Sequence, residues 1–411
     1  MIQMPRMDKK SLALLCALSL PVHSASAEQA ISDVNNNASN YVDNNVLQLA
    51  AEMNSLVEES VFLDIEYFQK RQIMVGEYGR ILVRSSAATA WVQARVPVQT
   101  TITAVDFVDD KVAWAVGHQG VILKTIDGGH NWIKVFDGLQ LTGLLKTSLE
   151  QQIVILTAQF ELAEAEGVIA GDNVDQDSID EDALDELEMQ LDDAIYKLED
   201  LTANAGIEIS FFDVRFTTSD YGLVVGAYGA MLETKDAGNS WQYIGYQVPN
   251  PEGFHLNAIT TDADNNIYVV GEAGLAMVAS RSEAGNKWRA LDIDYTGSLF
   301  GIDVNGSTLY SYGLRGNMFA SQDQGDTWQH LNTGVTNHIF SADWLNSTEL
   351  LLVGAGGLKL VYNGKTFSNI STSNQRIDIT AVKVVDDNVL TTGLRGWQTS
   401  SKNELVQGGL K

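Results

Sequence analysis

Cysteine is almost missing from this chain: its 411 residues contain one, Cys16. Without a second thiol no intramolecular disulfide can form, and nothing downstream of Cys16 can do thiol chemistry. Basic residues are also short, 26 Lys and Arg against 53 Asp and Glu, for a net charge of −27. That balance excludes nucleic acid and anionic membrane surfaces as general partners. Six histidines are scattered without metal-ligand spacing. No stretch of the expected mature chain is apolar over the roughly 18 residues a membrane helix needs. Nucleophile elbows, His-Glu-x-x-His, phosphate loops and dinucleotide glycine fingerprints are absent, so the residues suggest no catalytic group, no metal and no cofactor.

The first 27 residues have the layout of an export signal. Arg6, Lys9 and Lys10 form a basic start, residues 11–20 a short apolar stretch, and Ala25-Ser26-Ala27 a small-x-small cleavage site. Cleavage after Ala27 would remove Cys16, leaving a periplasmic protein with no cysteine. Leu15 stands where a lipoprotein signal needs a small residue, which argues against lipidation of Cys16. Residues 28–58 follow as an Asn-rich lead-in and a short helix, expected over 46–57 from the spacing of Val46, Leu49, Ala50, Met53 and Leu56.

The remainder is organised by a repeat. An apolar run ending in Gly-x-x-Gly recurs with first glycines at 76, 117, 226, 271, 313, 354 and 393, spaced 41, 109, 45, 42, 41 and 39 residues apart. The long interval is one period plus an insertion. Behind the glycine pair comes Ser/Thr-x-Asp-x-Gly-x-x-Trp, carried by Asp127 and Trp132, Asp236 and Trp241, and Asp323 and Trp328, with degenerate copies at Trp91, Trp288 and Phe367. In the second unit, residues 101–108, 111–116, 121–125 and 132–136 read as four short strands joined by Asp- and Gly-bearing turns. Seven such units predict an all-β fold, a seven-bladed β-propeller. Blades 1 and 2 are expected in 59–140 and blades 3 to 7 in 206–411. The last unit has no evident fourth strand: residues 404–410 or a strand from the N-terminal side could supply it. The Asp and Trp of each box need no ligand to explain them, because their spacing closes a hairpin.

The insertion, residues 141–205, reads as a helical hairpin. Residues 144–165 are apolar at helical spacing, with a stop at Gly167, and 179–202 carry Leu184, Leu187, Leu191, Ile195 and Leu198 on one stripe. Sixteen acidic residues and one lysine lie between Glu161 and Asp200. They form a solvated face or a docking arm for a basic partner. Asp172, Asp175, Asp177 and Asp180 cluster between the helices, but Ser178 stands where a calcium loop needs glycine, and a twelfth-position Glu is lacking.

In a propeller, equivalent turns fall on one face. The Gly-x-x-Gly turns therefore gather Tyr78, His118, Tyr228, Glu272, Arg315 and Arg395, with Arg80 beside the first, into a candidate partner-binding circle. The chain resembles the photosystem II stability/assembly factor family over about 61–139 and 207–400. The motifs that carry the likeness run from Gly313 to Trp328 and from Val116 to Trp132. That family is an exported seven-bladed propeller with bacterial-neuraminidase-type (Asp-box) repeats. In photosynthesis it acts as an assembly factor, binding newly made reaction-centre protein through an arginine patch. The resemblance implies a non-enzymatic scaffold whose Arg80, Arg315 and Arg395 could match that patch. Its client would be a membrane protein or an envelope transporter complex, with no membrane insertion of its own. The acidic hairpin and Asn-rich lead-in depart from the family pattern. The box also occurs in sialidases, so a glycan-binding or sialidase-like propeller is the alternative. The Arg-Ile-Pro motif of those enzymes is absent, and they need an arginine triad and a Tyr nucleophile.

Overall fold

Each repeat folds as one antiparallel sheet whose strands follow one another in chain order. The computed structural model describes residues 46–53, 57–170, 181–203, 209–280, 287–371 and 376–408. The sheets span 62–93, 102–136, 211–243, 256–290, 299–331, 339–369 and 379–401. Six have four strands and the last has three, and together they are the blades of a seven-bladed β-propeller. The expected signal, the Asn-rich lead-in and the Asp172–Asp180 cluster lie outside the described residues. No described helix is long and apolar enough to cross a membrane.

The core lies between blades, as alternation along half-buried strands requires. Ile73 and Val83 of blade 1 meet Ala115 and Leu123 of blade 2. Leu351 and Val353 of blade 6 meet Val382 and Val389 of blade 7. The ring closes where Met74 and Leu82 of blade 1 pack on Ala381 and Leu390 of blade 7. Between blades 2 and 3, Trp114 is fully buried and stacks on Phe216 with centroids 4.5 Å apart. Each such large side chain contributes roughly 1.5–3 kcal/mol by leaving water.

The box residues hold each blade to the one before it. Trp132 packs into the seam with blade 1, Trp241 lies edge-on to Trp114 of blade 2 at 5.9 Å, and Trp328 joins Tyr268 and Leu291 of blade 4. The Asp side chain closes the turn ahead of the aromatic. Asp323 accepts from Thr327 N–H at 2.9 Å, from Thr327 Oγ1 at 2.6 Å and from Ser321 Oγ at 2.8 Å. Asp127 and Asp236 make equivalent bonds with Thr125 and Asn131, and with Thr234 and Ser240.

One local expectation fails, and so does one of the two alternatives for blade 7. Residues 46–53 form a turn and an extended run instead of a helix. Their backbone pairs with the linker after blade 1: Ala51 N–H donates to Val96 O at 2.9 Å, and Gln99 N–H to Val46 O at 2.7 Å. A short helix is marginal in water, and these external bonds outcompete it. Residues 404–408 do not supply the fourth strand of blade 7, and most of the N-terminal side, residues 1–45 and 54–56, lies outside the described residues. Residues 402–408 are a helix (α3, Lys402–Gly408) whose Leu405 packs on blade 6, while residues 57–59 form a 3-10 turn.

The inserted hairpin is a compact unit of its own. Helix α1 spans Gly138–Ala170 and α2 spans Glu181–Ala203. Ile153 and Leu156 pack on Leu191 and Ala194, with Leu187, Ile195 and Leu198 at the margin. Helix α1 starts earlier and ends later than its apolar pattern suggests, running through Gly143 and Gly167. An interior glycine costs only about 1 kcal/mol in a helix this long.

Candidate functional site

Seven glycine turns mark one end of the blades. The first glycine of each pair lies so close to the chain entering its own blade that a Cβ would collide with backbone, Val61 O at Gly76 and His338 O at Gly354 among them. The next N–H then bonds that same carbonyl. Glu77 donates to Val61 O, His118 to Thr101, Ala227 to Ser210, Glu272 to His255, Leu314 to Ser298, Ala355 to His338 and Leu394 to Asp378. In six turns the following residue is left-handed: Tyr78, Gln119, Tyr228, Ala273, Arg315 and Gly356, with φ from 53° to 66°. That conformation costs a non-glycine residue about 1 kcal/mol and holds its side chain outward. Leu394-Arg395 makes a tighter two-residue hairpin, with Gly393 paired to Gly396.

Three of these apices are also tied to the next blade. Tyr228 N–H donates to His255 Nδ1 at 3.0 Å, Arg315 N–H to His338 Nδ1 at 3.0 Å, and Gly356 N–H to Asp378 Oδ1 at 2.7 Å. The tie fixes the backbone from which Tyr228 and Arg315 project.

The turn residues differ in how available they are. Tyr78 and Tyr228 are 59% and 67% exposed, and Arg315 and Arg395 are exposed too. Arg80 is held back: its guanidinium bonds Glu77 at 2.9 Å and lies over the Tyr78 ring, 5.1 Å from the centroid. Glu272 accepts the His255 N–H at 3.3 Å, so it braces its own blade. His118 is half-buried.

Beneath the turns, the seven inner strands surround a cavity of about 270 Å³. Each inner strand carries a register shift at its second residue: Leu63, Thr103, Phe212, Asn257, Phe300, Phe340 and Thr380. Such a bulge turns an extra side chain toward the axis. Further down, Asp64, Glu66, Asp106, Asp213 and Asp303 face the cavity together with Arg215 and Lys383. Lys383 bonds Glu66 at 2.8 Å and Arg215 bonds Asp106 at 3.2 Å. Asp64 accepts from Val105 N–H of the next blade at 2.9 Å, and Asp213 from Ile259 N–H at 2.9 Å.

These carboxyls lie deep within the ring, where charge is costly. Burial, reinforced by Asp64 and Asp106, pushes the Asp213 carboxyl up to about 8 against two backbone N–H donors. Burial likewise lifts Asp64, Asp106 and Asp303 to about 6. Tyr312 donates to Asp303 at 2.8 Å, and its hydroxyl is pushed well above its usual range by burial and that carboxylate. Among the described residues no group of three or more His, Cys, Asp or Glu is arranged to hold a metal ion.

The inner-strand carboxylates and the two apex-binding histidines were not evident from the chain. His255, His338 and Asp378 do recur at one place, just ahead of an inner strand and 15 or 16 residues before a first glycine. Aligning the units on those glycines would have found them.

The family model of the photosynthesis system II assembly factor YCF48 matches residues 83–173 and 196–301. The photosystem II assembly lipoprotein Ycf48 of Synechococcus sp. (strain CC9902) is 27% identical over 120 residues, 28% of this chain. The match spans only 35% of that relative's length. A solved structure of YCF48 bound to D1 peptide aligns with 88% of this chain and 99% of its own, at 13% identity and a TM-score of 0.55. YCF48 from Cyanidioschyzon merolae aligns with 86% of this chain and 98% of its own, at 12% identity and a TM-score of 0.54. Likeness at such low identity speaks to the fold.

Proposed function

Starting from a chain of the photosystem II assembly factor-like propeller family, we propose that it is a non-enzymatic, exported scaffold. It binds a membrane protein, or that protein's exported segment, on the face that carries the glycine turns. An envelope transporter complex is one such client. Export to the periplasm with cleavage after Ala27 belongs to the same reading. The observation that carries it is the set of turn apices: Tyr78, Tyr228 and Arg315 project from left-handed backbone, pinned by the next blade at Tyr228 and Arg315, and Arg395 lies on the equivalent turn of blade 7. Aromatic side chains that lose little entropy on contact, beside Arg side chains that bond in a planar fork, are what a recognition surface needs. Arg80, His118 and Glu272 frame that surface. One structural relative is bound to D1 peptide, which is consistent with a client presented as a chain segment.

A binding role also suits the cavity better than sialidase-like hydrolysis. The one Tyr–Asp pair there, Tyr312 and Asp303, is environmentally driven away from the phenolate a nucleophile requires. Among the cavity-lining residues Arg215 is the single arginine, where substrate carboxylate recognition would need three.

Affinity recovery of membrane proteins from envelope fractions tests the reading, with partners identified by mass spectrometry. Arg315→Glu combined with Arg395→Glu should cut recovery of the client by about tenfold or more. Unchanged recovery would remove this face. Turnover of a fluorogenic glycoside panel would favour the hydrolase instead.

A further inference from the structure

Among the described residues, the seventh blade has part of a backbone edge unpaired. Its third strand, Gly396–Ser401, is the outermost of its sheet, whereas the other six sheets carry a fourth strand. In blades 1, 3, 4 and 6 one third-strand carbonyl accepts an N–H from the outer segment: Ile81 from Ala94, Met231 from Ile244, Ala276 from Leu291 and Lys359 from Ile370, at 2.8–2.9 Å. Ladder register makes Trp397 the equivalent residue of blade 7. Alternation then turns the backbone groups of Trp397, Thr399 and Ser401 outward. Glu404 takes the Ser401 N–H at 3.0 Å. Trp397 and Thr399 have no backbone partner on that side among the described residues.

Among the described residues, the protein's own chain covers only the ends of this edge. Leu405 of α3 packs against the apolar cluster shared by blades 6 and 7. At the other end, the Glu58 carbonyl presses on Gly396 as that of Val98 does on Gly79, so residues 57–60 follow the path of a linker leaving a fourth strand. Upstream, Ala51 and Val46 are committed to the linker after blade 1.

We propose that this edge is a strand-addition site, where an extended segment of a partner protein lies antiparallel to Gly396–Ser401 and completes blade 7. The direction puts the C-terminal end of that segment beside the exposed Arg395, which favours an acidic residue there. A small groove at that end is lined by Ile377, Asp378, Thr392, Arg395 and Trp397, and the Asp378 carboxylate in it already takes the Gly356 N–H. The bonding positions exclude proline. The occupant's identity as a client segment rests on the proposed scaffold role, but the open edge does not.

The test uses a labelled peptide with the sequence of residues 131–137, the outer strand of blade 2, which ends in Asp137. It should bind the full chain saturably in fluorescence anisotropy. Thr399→Pro, which removes an outward N–H and no ladder bond, should weaken binding about tenfold or more. N-methylating alternate peptide bonds of the probe should do the same on the unmodified protein, whatever the folding of the variant. In the free protein the Thr399 amide should exchange with solvent at least about tenfold faster than that of Val83, its counterpart in blade 1. Absence of saturable binding up to about 1 mM, indifference to both modifications, or Thr399 exchange as slow as Val83 would overturn the proposal. Arg315→Glu separates the two readings: if client recovery falls while peptide binding persists, rim and edge act independently, and loss of peptide binding alone leaves the rim standing.

Discussion

The backbone N–H of Arg315 donates to Nδ1 of His338 across the seam between blades 5 and 6, 3.0 Å away. The imidazole accepts at Nδ1 and so carries its proton on Nε2. Tyr228 and His255 repeat the arrangement between blades 3 and 4, and Gly356 and Asp378 achieve it with a carboxylate between blades 6 and 7. A left-handed apex is thereby held by the neighbouring blade as well as its own.

His338→Ala should lower stability by about 1 kcal/mol and release the Arg315 amide. His338→Asp copies Asp378 and should recover much of that loss. Urea unfolding and the Arg315 amide chemical shift would check both. Equal loss in the two variants would show that ring packing against Phe300 and Phe340, not the hydrogen bond, is what matters.

Glycines at similar backbone angles should differ in their tolerance. Gly238 has φ +78°, and a Cβ there would run into the Trp114 ring. Gly364 has φ +85° and open space around it. Gly364→Ala should cost about 1 kcal/mol of backbone strain. Gly238→Ala should cost about 2–4 kcal/mol, since overpacking adds to that strain. Thermal melts of the two variants side by side would show the gap.

Stability should peak in mildly acidic solution. The raised cavity carboxyls, Asp64, Asp106 and Asp303 near 6 and Asp213 near 8, hold protons that the unfolded chain has released by about pH 4. Their contribution is full below pH 4 and is lost as pH rises through 6 to 8. The turn carboxylates act oppositely. Asp323 is lowered to about 2 by its bonds from Thr327 and Ser321, so its contribution is present above pH 4 and lost toward pH 2. Urea midpoints should therefore be highest near pH 4 and fall from there toward pH 8. Asp213→Asn should flatten the fall between pH 6 and 8, and an unchanged slope would reject Asp213 as its source.

Replacing residues 139–207 with a flexible Gly/Ser linker should leave the propeller folded. The hairpin has its own core of Ile153, Leu156, Leu191 and Ala194, and the blades have theirs. Far-UV circular dichroism should lose helix signal while a cooperative melt remains. A broad, non-cooperative melt would show that the ring depends on the insertion.

Much of this fold could be read locally. The glycine period specified the turns because φ near +55° to +75° and close backbone approach leave few alternatives to Gly-x-x-Gly. The Asp and Trp spacing specified the outer hairpins for the same reason, since both bonds and packing act within a few residues. The short helix expected at 46–57 was misjudged because its backbone bonds run to Val96 and Gln99, far along the chain.

The cavity was a different matter. Asp106, Asp213 and Asp303 are each the single carboxylate of their inner strand, and Asp64 shares its strand with Glu66 alone, so no local motif marks them. Ring closure sets them around a single shared space, and their common electrostatics exists only there. The open edge at Trp397 and Thr399 likewise emerged only with the paths of α3 and residues 57–60, because whether a strand has a neighbour is settled by where distant chain runs.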